Sequence, residues 1–546
     1  MSGRGPRVAL GLLAATVAAL GCLWPLRAAL VTGELPGAGP DVVSTTWGAW
    51  WLAQVGPAAL LGAETTLLNH PGGAVGSLLS PLTTGGQALL SSTLGVGRAL
   101  SAVAVLHGLA LAGAVGWLAH EAGARGPAAV VAAAAVLVGR YLPFGLGEGS
   151  IVAVAALPVP LGLVALLRLT RGGGWWAVAA VAACSGWAAV ENPYLAPVLP
   201  GVAAALAVAV APARGRLGVA LATGAVAVLA VVAVFKGGAS PDYPREVDGT
   251  ALTLGAWRFT VVDLPWSRVR PWELVWGGPV RWTLQSDAAV SAGGGRTFGL
   301  SVLALAAVGA ARRPRRALPW CGLALAMLVL AAGSAQGDIG LPFLYLNHLL
   351  EAVARPLTQP VRFLAVALVA VAVAVGHGAA SLAHHRWALP GVLALFAVES
   401  AALGAGSLRL PTTALPAAPC LTELPAQAAK LQVPDGAALA WPWDARDGEA
   451  SRSQLLQMVH GRAAAHRGIA SWAHRGGSAQ DALRGAGFRH DRPPGQRLEV
   501  LPLRMLGYQW VIAETAADPE GAARLRQELG GPVLQCGDVS VFSLGR

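Results

Sequence analysis

The sequence predicts an α-helical polytopic membrane protein that ends in a small soluble α/β domain. Of its 546 residues, 55% are hydrophobic and only 12% are charged, and the mean hydropathy is +0.57. Several separate apolar runs reach about 18 residues or more, which is the length that crosses a bilayer as a helix. After residue 406 the composition changes to shorter apolar stretches between charged ones. These observations exclude an ordinary soluble enzyme.

The apolar runs predict about 11 transmembrane helices. The first run follows Arg4 and Arg7, is longer than a signal-peptide core and lacks a small-residue cleavage site. We therefore interpret it as a retained signal-anchor helix. The runs begin near residues 8, 97, 127, 151, 175, 195, 217, 298, 317, 359 and 387.

The charges between the runs predict the topology. Counted from a cytoplasmic N-terminus, every inner connection contains arginine, whereas the first outer connection, 31–97, contains three acids and no Lys or Arg. This asymmetry places the C-terminal segment outside the cytoplasm. The net charge of +11 therefore reflects topology, and we expect no nucleic-acid partner. The inner connections are HEAGARG, RLTRGGG, APARGR, ARRPRR and AHHRW.

Two domains are expected, a transmembrane domain over 1–406 and an extracytoplasmic α/β domain over 407–546. Besides 31–97, the first domain has a large outer loop over 236–296, rich in Trp, Pro and mixed charge. A shorter outer segment, 334–358, is apolar enough to be re-entrant, which is tolerated where backbone lines a cavity.

The C-terminal domain has its own pattern of strands and helices. We expect strands over 437–444 and 508–514, helices over 453–461 and EGAARLRQELGG, and a hairpin turning at Gly537 and Asp538. Cys420 and Cys536 bracket this domain on the oxidising side of the membrane, where a disulfide between them could form.

Several short motifs fall in an order that carries a family resemblance. Asp41 is followed by WGAWWLAQ, then NHPGG (69–73) and LLSPL (78–82). QPVRF (359–363) enters a late apolar run, and the tail contains LAWPWD, LLQMVHG and YQWVIAE. With the predicted topology, this layout resembles the GT-C superfamily of integral-membrane glycosyltransferases over essentially the whole chain.

The resemblance implies transfer of a sugar from a polyprenyl-phosphate-linked donor to an envelope acceptor, which is a glycan, a lipid or a protein. The reaction is expected at the outer face of a bacterial inner membrane. Asp41 is the expected general base on the acceptor hydroxyl, and Arg355 and Arg362 are expected to bind the donor phosphate. Many members pair acids in the first outer loop, but here Glu34 and Glu64 are the nearest carboxylates to Asp41. Use of a divalent ion, Mg or Mn, stays open.

Further polar and aromatic residues are candidates for a substrate cavity, each with a purely structural alternative. Trp47 and Trp51 could stack on sugar rings or sit in an interfacial aromatic belt. Glu191, at the outer end of a span, would be costly against lipid and so is expected to face a cavity or headgroups. Arg362 could instead snorkel to the interface. The full set is Trp47, Trp51, His70, Arg140, Glu148, Glu191 and Tyr194.

Two other functions compete with glycosyl transfer. A transporter or flippase of lipid-linked glycan would be expected to show paired half-chain repeats, and none stands out. A catalytically silent scaffold in envelope assembly is the other alternative, and it would tolerate Asp41→Asn. The sequence leaves open the sugar, the acceptor, the linkage, the role of the C-terminal domain and the oligomeric state.

Overall fold

A computed structural model describes most of the chain. The described residues are 4–37, 40–61, 63–68, 70, 72–76, 80–139, 155–237, 250–254, 257–261, 274, 297–334, 341–351, 359–404, 412–416, 418–441, 447–465, 473–474, 483–488 and 496–545.

The chain divides into two compact units. Unit 1 comprises Met1–Ala38, Gly97–Lys236 and Pro244–Thr412, and unit 2 comprises Gly39–Val96, Gly237–Tyr243 and Thr413–Arg546. Contacts in the folded chain thus group most of the first predicted outer loop with the C-terminal segment. As a division into functional domains, 1–406 and 407–546 stays a prediction.

Unit 1 is built of apolar helices. The first helical segment runs from Arg4 to Thr32 and contains a π-helical turn, Ala19–Leu23, just ahead of Pro25, whose ring disfavours regular helix there. Most later helices begin close to a predicted apolar run, because arginine, glycine or proline precedes each run. They are Val96–Glu121, Pro127–Val138, Pro158–Thr170, Trp175–Glu191, Val198–Ala209, Arg214–Gly237, Leu300–Arg312, Pro314–Ala331, Leu341–Glu351, Leu364–Leu382 and Ala388–Gly404.

Four helices in the described part of the chain are long and apolar enough to cross a membrane. They are Gly5–Thr32, Val96–Glu121, Arg214–Val231 and Pro360–Leu382. Five shorter apolar helices of 10–17 residues accompany them: Pro127–Val138, Pro158–Thr170, Val198–Ala209, Leu300–Arg312 and Ala388–Ala402. The total of about 11 spans stays a prediction.

The helix Leu364–Leu382 is the buried centre of unit 1. The most apolar window of this span is 94% buried inside the protein. Two glycines let the helix Leu300–Arg312 approach it closely. A methyl group added at Gly378 would lie 2.1 Å from the Leu305 carbonyl oxygen, and one at Gly309 would lie 2.4 Å from that of Ala374. The two backbones are therefore in direct contact, as small residues permit in helix packing within membranes.

The arginine-containing connections of unit 1 contact one another. Arg168 and Arg171 both bind Glu121, which belongs to HEAGARG. Arg216 donates to the Gly173 carbonyl at 3.1 Å, which joins APARGR to RLTRGGG. In ARRPRR, Arg316 lies beside Gly123 and Arg313 donates to the Ala380 carbonyl, three residues before AHHRW. All five connections thus lie at the same end of unit 1, and the side of the membrane that this end faces stays a prediction.

Only parts of the other two predicted outer segments lie within the described residues. In 236–296 the strands Thr250–Leu254 and Trp257–Val261 form an antiparallel hairpin. In 334–358 the helix Leu341–Glu351 is present. The remaining regular elements of unit 1 are the short strand Leu35–Pro36 and the 3₁₀ turns Pro193–Leu195, Ala211–Ala213 and Pro360–Phe363.

The first segment of unit 2 is a pair of helices with a hairpin between them. The helix Pro40–Val55 is followed by a 3₁₀ turn, Pro57–Leu61. The strands Ala63–Thr65 and Ala74–Gly76 then pair, and the helix Pro81–Leu94 ends the segment. Ala74–Gly76 also pairs with Ala473–His474, which adds a strand from the C-terminal segment to the same sheet.

The C-terminal segment of unit 2 contains a mixed four-stranded sheet. Its strand order is Leu534–Cys536, Val539–Ser543, Tyr508–Glu514 and Ala437–Trp441; the first two pairings are antiparallel and the last is parallel. Val511 and Ala513 face one apolar cluster, and Trp510 and Ile512 face another, so the central strand is buried on both faces. The accompanying helices are Leu424–Leu431, Asp447–His460, Val500–Met505 and Pro519–Leu529, with a 3₁₀ turn at Pro419–Glu423 and a short strand at Thr412–Thr413.

The elements predicted for this segment are present with small differences in length. The strand begun at Ala437 ends at Trp441, and the helix expected over 453–461 begins earlier, at Asp447. The hairpin turns at Gly537, whose φ of 54° suits a residue without a side chain. Cys420 and Cys536 form a disulfide that joins the 3₁₀ turn to this hairpin.

Candidate functional site

The candidate base lies at the start of a helix. Asp41 is the second residue of Pro40–Val55, and Pro40 provides a backbone already suited to the first helical position. A carboxylate in the first turn is stabilised by the helix dipole. The side chain of Asp41 lies outside the described residues, so its role as a base stays a prediction.

The helix that carries Asp41 is held by two hydrogen bonds to the helix Asp447–His460 within unit 2. The Ser44 hydroxyl donates to Gln454 Oε1 at 3.4 Å, and Trp47 Nε1 donates to Gln457 Oε1 at 2.7 Å. All four side chains are buried, so these bonds replace bonds to water and fix the register of the two helices. Ser44 is one helical turn from Asp41.

Gln457 connects the Asp41 helix to other parts of unit 2. Besides accepting from Trp47, its amide nitrogen donates to the carbonyls of Leu67 at 2.6 Å and Arg462 at 2.8 Å. The first partner belongs to the hairpin segment of the first outer loop and the second to the C-terminal segment. The guanidinium of Arg462 in turn forms an ion pair with Asp435. One buried amide therefore joins three stretches of chain.

Trp47 and Trp51 have the surroundings of core residues. Their ring centroids lie 6.1 Å apart with the planes nearly parallel, and both side chains are almost fully buried. They pack with Leu52, Ala59 and Leu68. Neither the aromatic-belt nor the sugar-stacking interpretation anticipates this burial, although their place in a substrate cavity stays untested.

A second buried amide fixes the other face of the helix. Gln87, on the helix Pro81–Leu94, donates to the Thr46 hydroxyl at 3.2 Å and to the Val96 carbonyl at 3.3 Å. The two helices of the first outer segment are therefore locked together beside the candidate base.

His70 attaches the first outer segment to the C-terminal segment within unit 2. Its backbone N–H donates to the Ala464 carbonyl at 3.0 Å, and its Nε2 lies 2.8 Å from the Leu506 carbonyl oxygen. The Tyr508 hydroxyl donates to the His70 carbonyl, and the two rings meet edge to face. Burial lowers the pKa of His70, partly offset by the bond to Leu506, and burial raises the pKa of Tyr508.

In unit 1 the structure brings together two of the predicted residues, Arg362 and Tyr194. The Arg362 guanidinium lies over the Tyr194 ring, 4.8 Å from its centroid, and its Nε donates to Gln359 Oε1 at 2.7 Å. The Gln359 N–H donates to the Tyr194 hydroxyl at 2.9 Å. Arg362 lies in the 3₁₀ turn Pro360–Phe363, directly before the helix Leu364–Leu382, so its charge adds to the positive helix terminus.

Glu191 and Asn192 stand just before Tyr194 in the chain. Glu191 is the last residue of Trp175–Glu191 and is only 2% exposed. Asn192 is fully buried and its Oδ1 accepts the Tyr194 N–H at 3.2 Å, which sets the turn that presents the tyrosine ring. Asn192 and Tyr194 thus connect the end of the helix Trp175–Glu191 to the turn that carries Arg362. Arg140, Glu148 and Arg355 lie outside the described residues.

Within the described part of the chain, no three His, Cys, Asp or Glu side chains are arranged to hold a metal ion. The two carboxylates nearest to Asp41 in sequence also belong to different units. Glu34, in unit 1, accepts the Thr412 hydroxyl, and Glu64, in unit 2, lies in a strand.

Sequence reasoning missed the amide side chains. Gln457 stands in LLQMVHG, a motif of the family resemblance, and Gln359 stands in QPVRF, whose arginine is the predicted phosphate ligand. A signal was present in both cases, because a glutamine within an otherwise apolar stretch must find hydrogen-bond partners once it is buried.

The fold was compared with known proteins. No family model matches the chain, and no curated protein is significantly similar to it in sequence. Among solved structures, the arabinofuranosyltransferase AftD from Mycobacteria is similar over 98% of this chain, at 16% identity and a TM-score of 0.54. The chain spans 40% of the length of AftD.

Two other structures are more distant. ArnT from Cupriavidus metallidurans is 12% identical and covers 94% of each chain, with a TM-score of 0.49. The oligosaccharyltransferase from Archaeoglobus fulgidus is 14% identical over 96% of this chain and 71% of its own, with a TM-score of 0.48. The likeness to AftD bears out the expected fold: this chain shares the overall fold of that arabinofuranosyltransferase structure.

Proposed function

We propose that this protein is an integral-membrane glycosyltransferase that moves a sugar from a polyprenyl-phosphate-linked donor to an envelope acceptor at the outer face of a bacterial inner membrane. The observation that carries the proposal is the likeness to the arabinofuranosyltransferase AftD, which extends over 98% of this chain. The acid at the start of the helix Pro40–Val55 supports it further, because the family resemblance places the general base there.

The proposed chemistry is a displacement at the anomeric carbon. Asp41 accepts the proton of the acceptor hydroxyl as its oxygen attacks that carbon. The bond from the sugar to the phosphate oxygen breaks, and the electron pair leaves with the lipid phosphate. Arg362 stabilises the charge that develops on the phosphate, aided by the helix terminus beside it. Tyr194 and Gln359 hold the Arg362 guanidinium in place.

The decisive experiment replaces Asp41. The gene is deleted in its host and restored as wild type, Asp41→Asn or Glu64→Gln at matched membrane levels. Mass spectrometry then compares extracytoplasmic glycans and lipid-linked sugars. We expect one sugar unit to disappear on deletion and Asp41→Asn to lower the transfer rate by about 10²–10⁴-fold. Glu64→Gln removes a neighbouring acid and should restore transfer.

The outcomes separate the proposed function from its alternatives. Full restoration by Asp41→Asn would reject Asp41 as the base and favour a scaffold or a transporter. Accumulation of the intact lipid-linked sugar inside the cell on deletion would favour a flippase. A reporter fused after residue 546 tests the orientation, and a cytoplasmic result would contradict the proposed outer-face reaction.

Arg362 has its own test. Arg362→Gln should lower transfer by about 10²-fold, since a preorganised donor to the developing charge is removed. Arg386→Gln removes an exposed arginine from the connection AHHRW and should leave transfer unchanged. Equal activity of Arg362→Gln and wild type would show that this arginine only anchors the helix.

A further inference from the structure

The arginine-rich end of unit 1 has a strongly uneven charge. Its five connections contain ten arginines and one carboxylate, Glu121. Most of these arginines are exposed. This end therefore attracts anions, and the local arrangement of side chains decides which anion fits.

One corner of this end combines cations with exposed indole rings. The Arg168 guanidinium lies over two of them, 5.1 Å from the Trp117 centroid and 5.2 Å from that of Trp176. Its Nε and Nη2 both donate to Glu121 Oε1. Trp117, Trp175 and Trp176 are 43%, 67% and 54% exposed. Three exposed indole rings at this one corner form a surface suited to an apolar or amphipathic ligand.

Two further arginines stand next to this aromatic surface. Arg171 is half-exposed and donates to the Glu121 carbonyl at 2.5 Å. Arg216 comes from the next connection and donates to the Gly173 carbonyl. These bonds fix both side chains on one small area. Glu121 balances one of the three cations, so the area retains positive charge. Guanidinium groups held this way are suited to bidentate bonds with phosphate.

We propose that Arg171, Arg216, Trp117, Trp175 and Trp176 form a binding site for the headgroup of an anionic phospholipid. The arginines bind its phosphate, and the indoles pack on its glycerol and upper acyl region. The location favours a lipid over a soluble anion. The helix Val96–Glu121, which is long and apolar enough to span a membrane, carries Trp117 and ends here. Lipid is therefore the concentrated anion at this surface, and by the predicted topology it belongs to the cytoplasmic leaflet. This proposal does not depend on the proposed function.

The test measures lipid binding by the purified full chain in a neutral detergent. Native mass spectrometry follows titration with dioleoylphosphatidylglycerol and, separately, with dioleoylphosphatidylcholine. We expect dioleoylphosphatidylglycerol, the anionic lipid, to bind at least five-fold more tightly than dioleoylphosphatidylcholine. The double variant Arg171→Gln/Arg216→Gln should weaken it by about five-fold for each arginine. The double variant Arg315→Gln/Arg386→Gln removes the same charge from exposed positions of the same end and should weaken it by less than two-fold.

The aromatic part has a matched control as well. Trp176→Ala should weaken binding of the anionic lipid by about five-fold, whereas Trp387→Ala, at a similarly exposed position beside Arg386, should not.

Four results would overturn the proposal. Equal losses of lipid affinity in the two double variants would show nonspecific electrostatic attraction by all the arginines and no defined site. Equal binding of the two lipids would show that charge is not recognised. Full competition by inorganic phosphate would identify a site for a free anion. Tighter binding of a polyglutamate peptide than of the lipid, lost in the same variant, would identify an acidic protein partner.

Discussion

The helices of unit 1 meet through glycine, whereas the segments of unit 2 are joined by buried amides and a disulfide. In unit 1, Gly309 and Gly378 bring two backbones into contact. In unit 2, Gln457 and Gln87 form hydrogen bonds between stretches distant in sequence, and Cys420 is bonded to Cys536. Helices surrounded by lipid gain little from burying apolar surface against each other, so they depend on close packing. Unit 2 can use directional hydrogen bonds. Apolar surfaces can pack in many ways, and buried hydrogen bonds select one packing of its segments.

The disulfide should show the largest effect. It closes a loop of 116 residues, so replacing Cys420 and Cys536 by serine should lower the free energy of unfolding of unit 2 by about 4 kcal/mol. Thermal unfolding of the purified chain, followed by limited proteolysis of the C-terminal segment, measures this loss. Cys321→Ser alters a free thiol in unit 1 and should leave that proteolysis unchanged. Identical cleavage of both variants would contradict the assignment of this bond to stability.

Loss of the Gln457 amide should cause the second-largest decrease in the free energy of unfolding. Gln457→Leu leaves Trp47 Nε1 and the carbonyls of Leu67 and Arg462 without this partner, so we expect a loss of about 3 kcal/mol. Gln527→Leu changes an exposed glutamine and serves as control. Because the Asp41 helix is held by Gln457, kcat should also fall more than KM rises. A change in stability alone would remove the link between this contact and the candidate base.

Alanine should have different effects at two glycines of unit 1, one inside the close helix contact and one outside it. Gly378→Ala forces the helices apart and should destabilise unit 1 by about 2 kcal/mol. Gly391→Ala, in a helix where an added methyl meets nothing within 4 Å, should be neutral or stabilise by up to about 1 kcal/mol. Unfolding temperatures in detergent measure both. Equal destabilisation would mean that the close approach is not what holds these helices.

The smallest expected effect depends on pH. The pKa of His70 is lowered in the folded chain, so the unfolded chain binds the proton more readily. Stability of unit 2 is then full above the ordinary histidine pKa and falls as the pH drops below it. Unfolding temperatures between pH 8 and pH 5 should show this slope, and His70→Gln should flatten it.

Much of the architecture was predictable because its signals are local. Apolar runs separated by arginine located the helices of unit 1, and the alternation in YQWVIAE and around Gly537 located the strands of unit 2. The partner of Trp47 was not predictable. Gln457 lies 410 residues away, and nothing in either segment specifies the other. Trp47 and Trp51 are buried in a cluster that also receives Met458 from the distant helix, whereas their local spacing alone indicated an interface or a sugar platform.

Unit 2 also has a consequence for how the protein is made. Its first segment, residues 39–96, leaves the ribosome before the intervening helices of unit 1 and well before residues 413–546 exist. Until the helix Asp447–His460 emerges, Trp47 lacks Gln457 and the cluster around it lacks Met458. The early segment is therefore open to aggregation and proteolysis for most of synthesis. Trp47 becomes buried against this helix only after the C-terminal segment has been synthesised. A cellular protease that cleaves within residues 39–96 would therefore cut unfinished chains more readily than finished ones.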